Sequence, residues 1–294
     1  KKSEGSMRLL KVGIHFFIMI WGVFLHALGM SNKIRWHGSF VYVYCNTSGR
    51  ISTLMSKFIS IFRKEDVRLY ESANGVLGNI TTKKRSEYLT QLEDKGYVVF
   101  ERALSDEACQ KMMQFACATP AVVRPMDGES KEAPAKLALY DDANPLAVRY
   151  DYVVNDLLAN AEVQKLLADK SLLSIAQAYL KTVPRFDVLS MWWHTHYHSR
   201  PDSEAAQLYH FDLDRFKWLK VFVYLTDVGP NDGPHSFIEG SHCAGAIPDN
   251  LMRRGYVRLS DEEVSANFPS KEIKFTAPRG TIIVEDTRGL HKGN

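Results

Sequence analysis

The stretch "YHFDLD", residues 209–214, decides how this chain is read. Its polar and apolar residues alternate as on a strand, where successive side chains point to opposite faces. His210 and Asp212 then project the same way, with Asp214 beyond them. A neutral imidazole and a carboxylate side by side on one rigid strand supply two parts of a metal site, or they are ordinary polarity of an exposed strand.

The residues around this stretch keep the same period. "RFDVLSMWWHTHY" (185–197), "LYHFDLD" (208–214), "WLKVFVYLTDV" (218–228), "HSFIEGSH" (235–242), "EIKFTAP" (272–278) and "GTIIVED" (280–286) read as strands. Turn signals such as "GPNDGP" (229–234) and "APRG" (277–280) separate them. Further upstream the period changes to that of helices. "SEYLTQLEDKG" (86–96) predicts a helix closed by Gly96, followed by the strand "YVVFE" (97–101). "LSDEACQKMMQFACA" (104–118) predicts a helix with Ser105 as N-cap and Asp106 and Glu107 in its first turn. Residues 153–180 give two helical stretches, and the polar, proline-bearing 127–145 a long loop. Helices followed by many short strands predict an α+β, mainly β domain with a sandwich or small-barrel core.

The first 85 residues are of another kind. "FVYVYC" (40–45) reads as a short strand and "ISTLMSKFISIFRK" (51–64) as an amphipathic helix. Residues 12–30, "VGIHFFIMIWGVFLHALGM", are an apolar run just long enough to span a bilayer. His15, His26 and three glycines weaken it, and Lys33 and Arg35 beyond it blur the orientation signal set by Lys1, Lys2, Arg8 and Lys11. A signal-anchor, an interfacial helix and a wrongly placed start all fit; a cleaved signal peptide lacks its small-residue site. The expected organisation is an N-terminal extension over 1–85, with a candidate membrane-associated helix, and a compact domain over 86–294.

Composition excludes some functions. With 37 basic and 34 acidic residues interspersed, the net charge of +3 leaves no basic face for nucleic acid. Cys45, Cys109, Cys117 and Cys243 form no CxxC pair, which disfavours disulfides and structural zinc and fits a reducing, cytoplasmic compartment.

His291, in "DTRGLHKGN" (286–294), follows the last strand and supplies a second imidazole. Two imidazoles and one carboxylate on adjacent strands can occupy one face of an octahedral Fe(II), leaving positions for a bidentate co-substrate and O2. Structural zinc would instead want four protein ligands, usually with thiolates.

The stretches "HFDLDRFKWLKVFVYLTDVGPNDGPHSFIEGSH" and "GTIIVEDTRGLHKGN" resemble the phytanoyl-CoA dioxygenase family of Fe(II)/2-oxoglutarate-dependent oxygenases. The opening "GYVVFERALSDEACQKMMQF" and the "LLADKSLLSIAQAYL" helix are similar too, so the resemblance covers roughly residues 86–294. It implies a double-stranded β-helix, a cupin-like jelly roll flanked by N-terminal helices. It implies that His210, Asp212 and His291 ligate the iron and that Phe222 and Met191 line the 2-oxoglutarate pocket. The implied reaction uses 2-oxoglutarate and O2 to hydroxylate an aliphatic C–H of a small-molecule or acyl substrate. An aspartate at 212 favours hydroxylation over halogenation, which needs a small residue there.

One departure matters. The family anchors 2-oxoglutarate with an arginine a short way past the distal histidine, whereas this sequence stops at Asn294. The expectation is therefore truncation before that arginine, because Arg279 and Arg288 precede His291 and are poor stand-ins. A non-catalytic jelly-roll binding module that lacks the anchor is the rival reading, and a cupin-like metal enzyme without 2-oxoglutarate a third.

Several other residues invite a sharper reading than they support. His194, His196 and His198 share a strand face and suggest a polar end near the pocket mouth. His242 reads as a turn-former, Trp192, Trp193 and Trp218 as core, and Lys220 as a solvated strand residue. Cys243 reads as a small buried one.

Overall fold

A computed structural model of the chain describes residues 2–30, 34–62, 65–71, 73–124, 136–195, 197, 206–256 and 258–293. It opens with α1 (Lys2–Ala27), α2 (Ile34–Asn46), α3 (Arg50–Phe62) and the single turn α4 (Arg68–Glu71). A hairpin of β1 (Asn74–Gly75) and β2 (Gly78–Asn79) leads into α5 (Thr82–Asp94), β3 (Tyr97–Phe100) and α6 (Asp106–Ala118). Then come β4 (Ala121–Val123), β5 (Leu137–Ala138), β6 (Arg149–Asp151), α7 (Val154–Ala159), α8 (Ala161–Leu167) and α9 (Lys170–Leu180). The C-terminal part holds β7 (Trp192–His194), β8 (Lys220–Val223), β9 (Ser236–Ile238), α10 (Asp249–Met252) and α11 (Asp261–Asn267). It ends with β10 (Glu272–Lys274), β11 (Ile282–Glu285) and β12 (His291–Lys292).

Local chemistry sets many of these boundaries. Ser105 caps α6 by accepting from the Ala108 amide, as its sequence predicts, and Thr81 caps α5 through Lys84. The helical run 153–180 breaks twice rather than once, because Asn160 caps α8 and Asp169 caps α9. Residues 40–45 are helical, not a strand. Trp36, Phe40, Val43 and Tyr44 recur at helical spacing and are all buried, so packing on one face outweighs the β-branched composition.

Two three-stranded antiparallel sheets, β3-β11-β8 and β10-β9-β12, form the centre. Tyr97, Val99, Phe222, Tyr224 and Ile283 from the first meet Phe237, Ile273 and Phe275 from the second in one apolar cluster. The sheets therefore face each other. On the other side of β11, Ile282 and Val284 pack against Leu92 of α5 and Ile175 and Tyr179 of α9. Burial on both faces explains why β11 is continuously hydrophobic up to Glu285. A further sheet, β5-β4-β6-β7, has its own core around Tyr150, Tyr152 and Leu157.

The stretch 209–214 is extended, but it is joined to its neighbours by bridges rather than a full ladder. Tyr209 pairs with Leu259 and His210 with His291, while the Asp212 amide donates to the Thr287 carbonyl at 2.7 Å. Its apolar residues Phe211 and Leu213, with Phe216 just beyond, point away from the facing sheets into a cluster with Trp36, Phe40 and Tyr44 of α2 and Ile51 and Met55 of α3. His37 adds a hydrogen-bond contact from its Nε2 to the Leu213 carbonyl at 2.9 Å. The alternation seen in the sequence is thus realised as two buried faces, one apolar and one polar. In α1, Gly5–Ala27 is long and apolar enough to cross a membrane by length and composition, and little of it is buried.

Candidate metal centre

The polar face of 209–212 carries the site. His210 is fixed by reciprocal backbone bonds with His291, N to O at 2.9 and 2.8 Å, which bring the two rings to a centroid separation of 4.3 Å. Asp212 reaches both: its carboxylate lies 3.3 Å from His291 Nε2 and 4.0 Å from His210 Nε2. The potential ligand atoms of all three lie within 4.8 Å of one another, and all three residues are buried. Residues separated by 79 positions (291 − 212) in the sequence thus meet at one point.

Both imidazoles face a backbone carbonyl with Nδ1. His210 Nδ1 lies 2.9 Å from the Leu208 carbonyl, and His291 Nδ1 lies 2.9 Å from that of Gly289. A carbonyl only accepts, so each Nδ1 carries the proton and each Nε2 turns a lone pair toward the shared point. Burial, reinforced by the neighbouring His291 and the charge of Arg258, pushes the His210 pKa down to about 2, so this ring stays neutral. Burial alone would raise the Asp212 pKa. The adjoining His291, and after it the Lys220 ammonium, outweigh it and hold the carboxyl well below its usual range. Two neutral nitrogens and one carboxylate, dry and convergent, are a donor set for a divalent cation.

Lys220 corrects the sequence reading. It is not a merely solvated strand residue: its ammonium donates to Asp212 at 2.5 Å, and its side chain is about one-third exposed. Strand alternation places Lys220 and Phe222 on the inner face of β8, with Tyr224 just past its end. Phe222 lies in the inter-sheet cluster, 4.5 Å centroid to centroid from His235, which in turn lies 5.7 Å from His291. Met191 belongs to a different cluster, the core of the sheet β5-β4-β6-β7.

The turn 286–290 delivers His291. Asp286 and Arg288 form a buried ion pair, Tyr179 donates to Asp286 at 2.5 Å, and the Leu290 amide donates to Ser241 Oγ at 2.8 Å. His242 holds the neighbouring turn through Nε2 to the Glu93 carbonyl at 3.1 Å, the part its sequence context suggests. Arg288 is thereby committed to Asp286, and Arg279 to the exposed Asp106 at 2.7 Å, so neither reaches the metal face.

The remaining expectations divide. Trp193 stacks on Tyr140 and donates to Tyr152, inside the core of its sheet. Trp192 is half-buried under the guanidinium of Arg149, whereas Trp218 is buried. His194 lies against Gly293, two residues past His291; His196 and His198 lie outside the described residues. Cys243 is exposed rather than buried, because it follows His242 at the outer edge of the turn. Three residues escaped the sequence reading altogether. His235 meets the fully buried Glu285 at 3.0 Å inside the sandwich, and Arg258 comes opposite His210 through the bridge of Tyr209 to Leu259. Glu285 ends an apolar strand, and that misplaced charge was the available signal. Arg258 offered none.

The chain is 24% identical to the ectoine dioxygenase of Stutzerimonas stutzeri (strain A1501) over 135 residues, which is 42% of this chain and 42% of that relative. Among solved structures it is similar to the epimerase SnoN in complex with Fe3+, alpha ketoglutarate and nogalamycin RO, with TM-score 0.48, 14% identity, and 72% of this chain and 77% of that one covered. It is also similar to EctD from S. alaskensis in its apoform, with TM-score 0.46, 17% identity and coverages of 79% and 77%. HygX from Streptomyces hygroscopicus, with nickel, 2-oxoglutarate and hygromycin B bound, gives TM-score 0.43, 13% identity and coverages of 71% and 80%. The family model for phytanoyl-CoA dioxygenase (PhyH) matches residues 92–293, well over half of the sequence and the whole of the site, and the chain therefore belongs to the phytanoyl-CoA dioxygenase family.

Proposed function

We propose that this protein is a non-haem Fe(II)/2-oxoglutarate-dependent dioxygenase that hydroxylates an aliphatic C–H of a small-molecule or acyl substrate, with His210, Asp212 and His291 holding the iron. The observation that carries this reading is the Nδ1-to-carbonyl contact on both imidazoles, which leaves two lone pairs and a carboxylate facing one point. The Lys220 ammonium already sits on Asp212, a sign that the buried carboxylate calls for a positive partner. Ferrous iron bound there supplies activation of O2 coupled to oxidative decarboxylation of 2-oxoglutarate, so that O2, 2-oxoglutarate and R–H become succinate, CO2 and R–OH.

The chain's own residues do the rest. The backbone bridge between His210 and His291 pre-positions both rings, so uptake of the metal orders little new structure. Phe222, Tyr224 and Ile283 keep the adjoining interior dry. With Asp212 engaged as a ligand, the Lys220 ammonium would be free to meet an anionic neighbour. The two facing sheets are the walls of a double-stranded β-helix, and residues 86–294 are the catalytic unit, with α2 and α3 bracing the ligand strand. Cytoplasmic placement, with α1 as a membrane-associated helix, keeps the unit where ferrous iron and 2-oxoglutarate are available.

The test is succinate formation by the full chain with Fe(II) and 2-oxoglutarate, alongside Asp212→Ala. The variant should lose iron uptake and at least 100-fold of the turnover, by comparison with the ~10–100-fold that loss of a mere ligand-supporting partner costs. Wild-type turnover in the variant would refute the ligand set.

A further inference from the structure

Among the described residues, Arg258 is the cation of the 243–270 segment with no carboxylate paired to it. It lies just before α11, whose start is fixed by a capping box between Ser260 and Glu263. Around it, Arg253 pairs with Asp249, Arg254 with Glu263, and Lys292 with Asp261. No carboxylate among the described residues makes an ion pair with Arg258, and its Nη1 is buried with no hydrogen-bond partner among them. A buried guanidinium nitrogen in that condition is costly, and an arriving anion recovers the cost.

Strand register says where the side chain points. Tyr209 and Leu259 form an antiparallel bridge closed by both backbone bonds, 3.1 and 2.9 Å. The next opposed residues are His210 and Arg258, and opposed residues on antiparallel chains project to the same face. His210 in turn bridges His291, which pairs with Phe237 in the inter-sheet core. Arg258, His210, His291 and Phe237 therefore form one cross-strand row on the metal face, with Arg258 at its outer end. The charge of Arg258 reaches His210 and Tyr256, as that placement requires. Phe222, the residue expected beside 2-oxoglutarate, lies beyond His291 against His235, on the opposite side of the two imidazoles.

From this row we infer that Arg258 binds an anionic group, carboxylate or phosphate, of the primary substrate. The oxidised carbon then lies only a few bonds from that charged end. The inference rests on the oxygenase reading and names the substrate class it would take: small anions. A guanidinium suits this task because its fork meets either oxyanion with two hydrogen bonds. It does not suit metal ligation, since a cation beside the iron is repelled.

The probes are acetate and inorganic phosphate, with acetamide as the uncharged control. Each is titrated calorimetrically into the anaerobic full chain with Fe(II) and saturating 2-oxoglutarate. At least one anion should bind the wild type, bind Arg258→Gln at least tenfold more weakly, and bind Arg258→Lys in between, since lysine keeps the charge and loses the fork. Acetamide should not distinguish the three. Preference for acetate identifies a carboxylate substrate, and preference for phosphate a phosphorylated one. Uptake of Fe(II) and 2-oxoglutarate should differ less than twofold among the variants. Equal anion binding by Arg258→Gln, or no anion binding by the wild type, overturns the inference. So does a tenfold loss of 2-oxoglutarate affinity, which would make Arg258 a co-substrate anchor. Failure of the wild type to take up iron sinks the oxygenase reading instead; the anion titration needs no turnover and still decides Arg258. If Arg258→Gln does not fold, Arg258→Lys with phosphate carries the test.

Discussion

Two buried polar clusters lie within a few residues of each other near the chain's end, and they are built to opposite rules. At Asp286 and Arg288 every charge is answered: the guanidinium meets the carboxylate through several hydrogen bonds, and Tyr179 completes the carboxylate's shell. At His210, Asp212 and His291 the groups converge, yet two nitrogen lone pairs face the same point as the carboxylate. Proximity of buried polar groups is common to both. A closed set of partners marks a cluster that shapes the fold, and an open set marks one that awaits a ligand.

The largest expected effect comes from opening the closed cluster. Arg288→Ala strands Asp286 in the interior and should cost about 3–5 kcal/mol of stability. Urea unfolding checks this, and a loss under about 1 kcal/mol would erase the contrast between the clusters. Next is the turn that joins them. A Cβ on Gly289 would come within 2.5 Å of Phe237 and 2.8 Å of Ser241 Oγ, so Gly289→Ala should cost about 1–3 kcal/mol and weaken iron uptake by displacing His291. Stability lost with iron affinity intact would show that the turn does not set the ligand's position.

A pH effect is smaller. Burial lowers the pKa of His242 below its ordinary 6.5, so the folded chain refuses a proton that the unfolded chain accepts. This stability is present above that value and is lost as the pH falls below it. In His242→Asn the acid-side slope should be shallower by at most about 1.4 kcal/mol per pH unit, read from urea midpoints. An unchanged slope would remove His242 from the acid response. The smallest effect on the fold belongs to the open cluster: Asp212→Ala should abolish metal uptake yet shift stability by only about 1 kcal/mol, because the ion pair it breaks leaves the part-exposed Lys220 ammonium in reach of water.

Much of the site was legible before folding. HxD on a strand and a histidine past a late strand are local features, each readable from alternation and turn chemistry. Ser105, read as the cap of α6, follows the same logic. What escaped was relational. Residues 40–45 carry β-branched and aromatic side chains, yet form a helix because Phe211, Leu213 and Phe216 offer a surface that only a helix face matches. Lys220 looked solvated because no local pattern places Asp212 eight residues back within reach of its ammonium.

By itself, the sequence determined the donor types, their strand placement and the family. Tertiary structure alone decided which charges are closed and which are left open. Arg288 finds its partner Asp286 two residues away, whereas Arg258 comes opposite His210 only through the register of strands brought together from distant positions. Coulomb energy and hydrogen bonding act over a few ångströms of space, while a sequence records only distance along the chain.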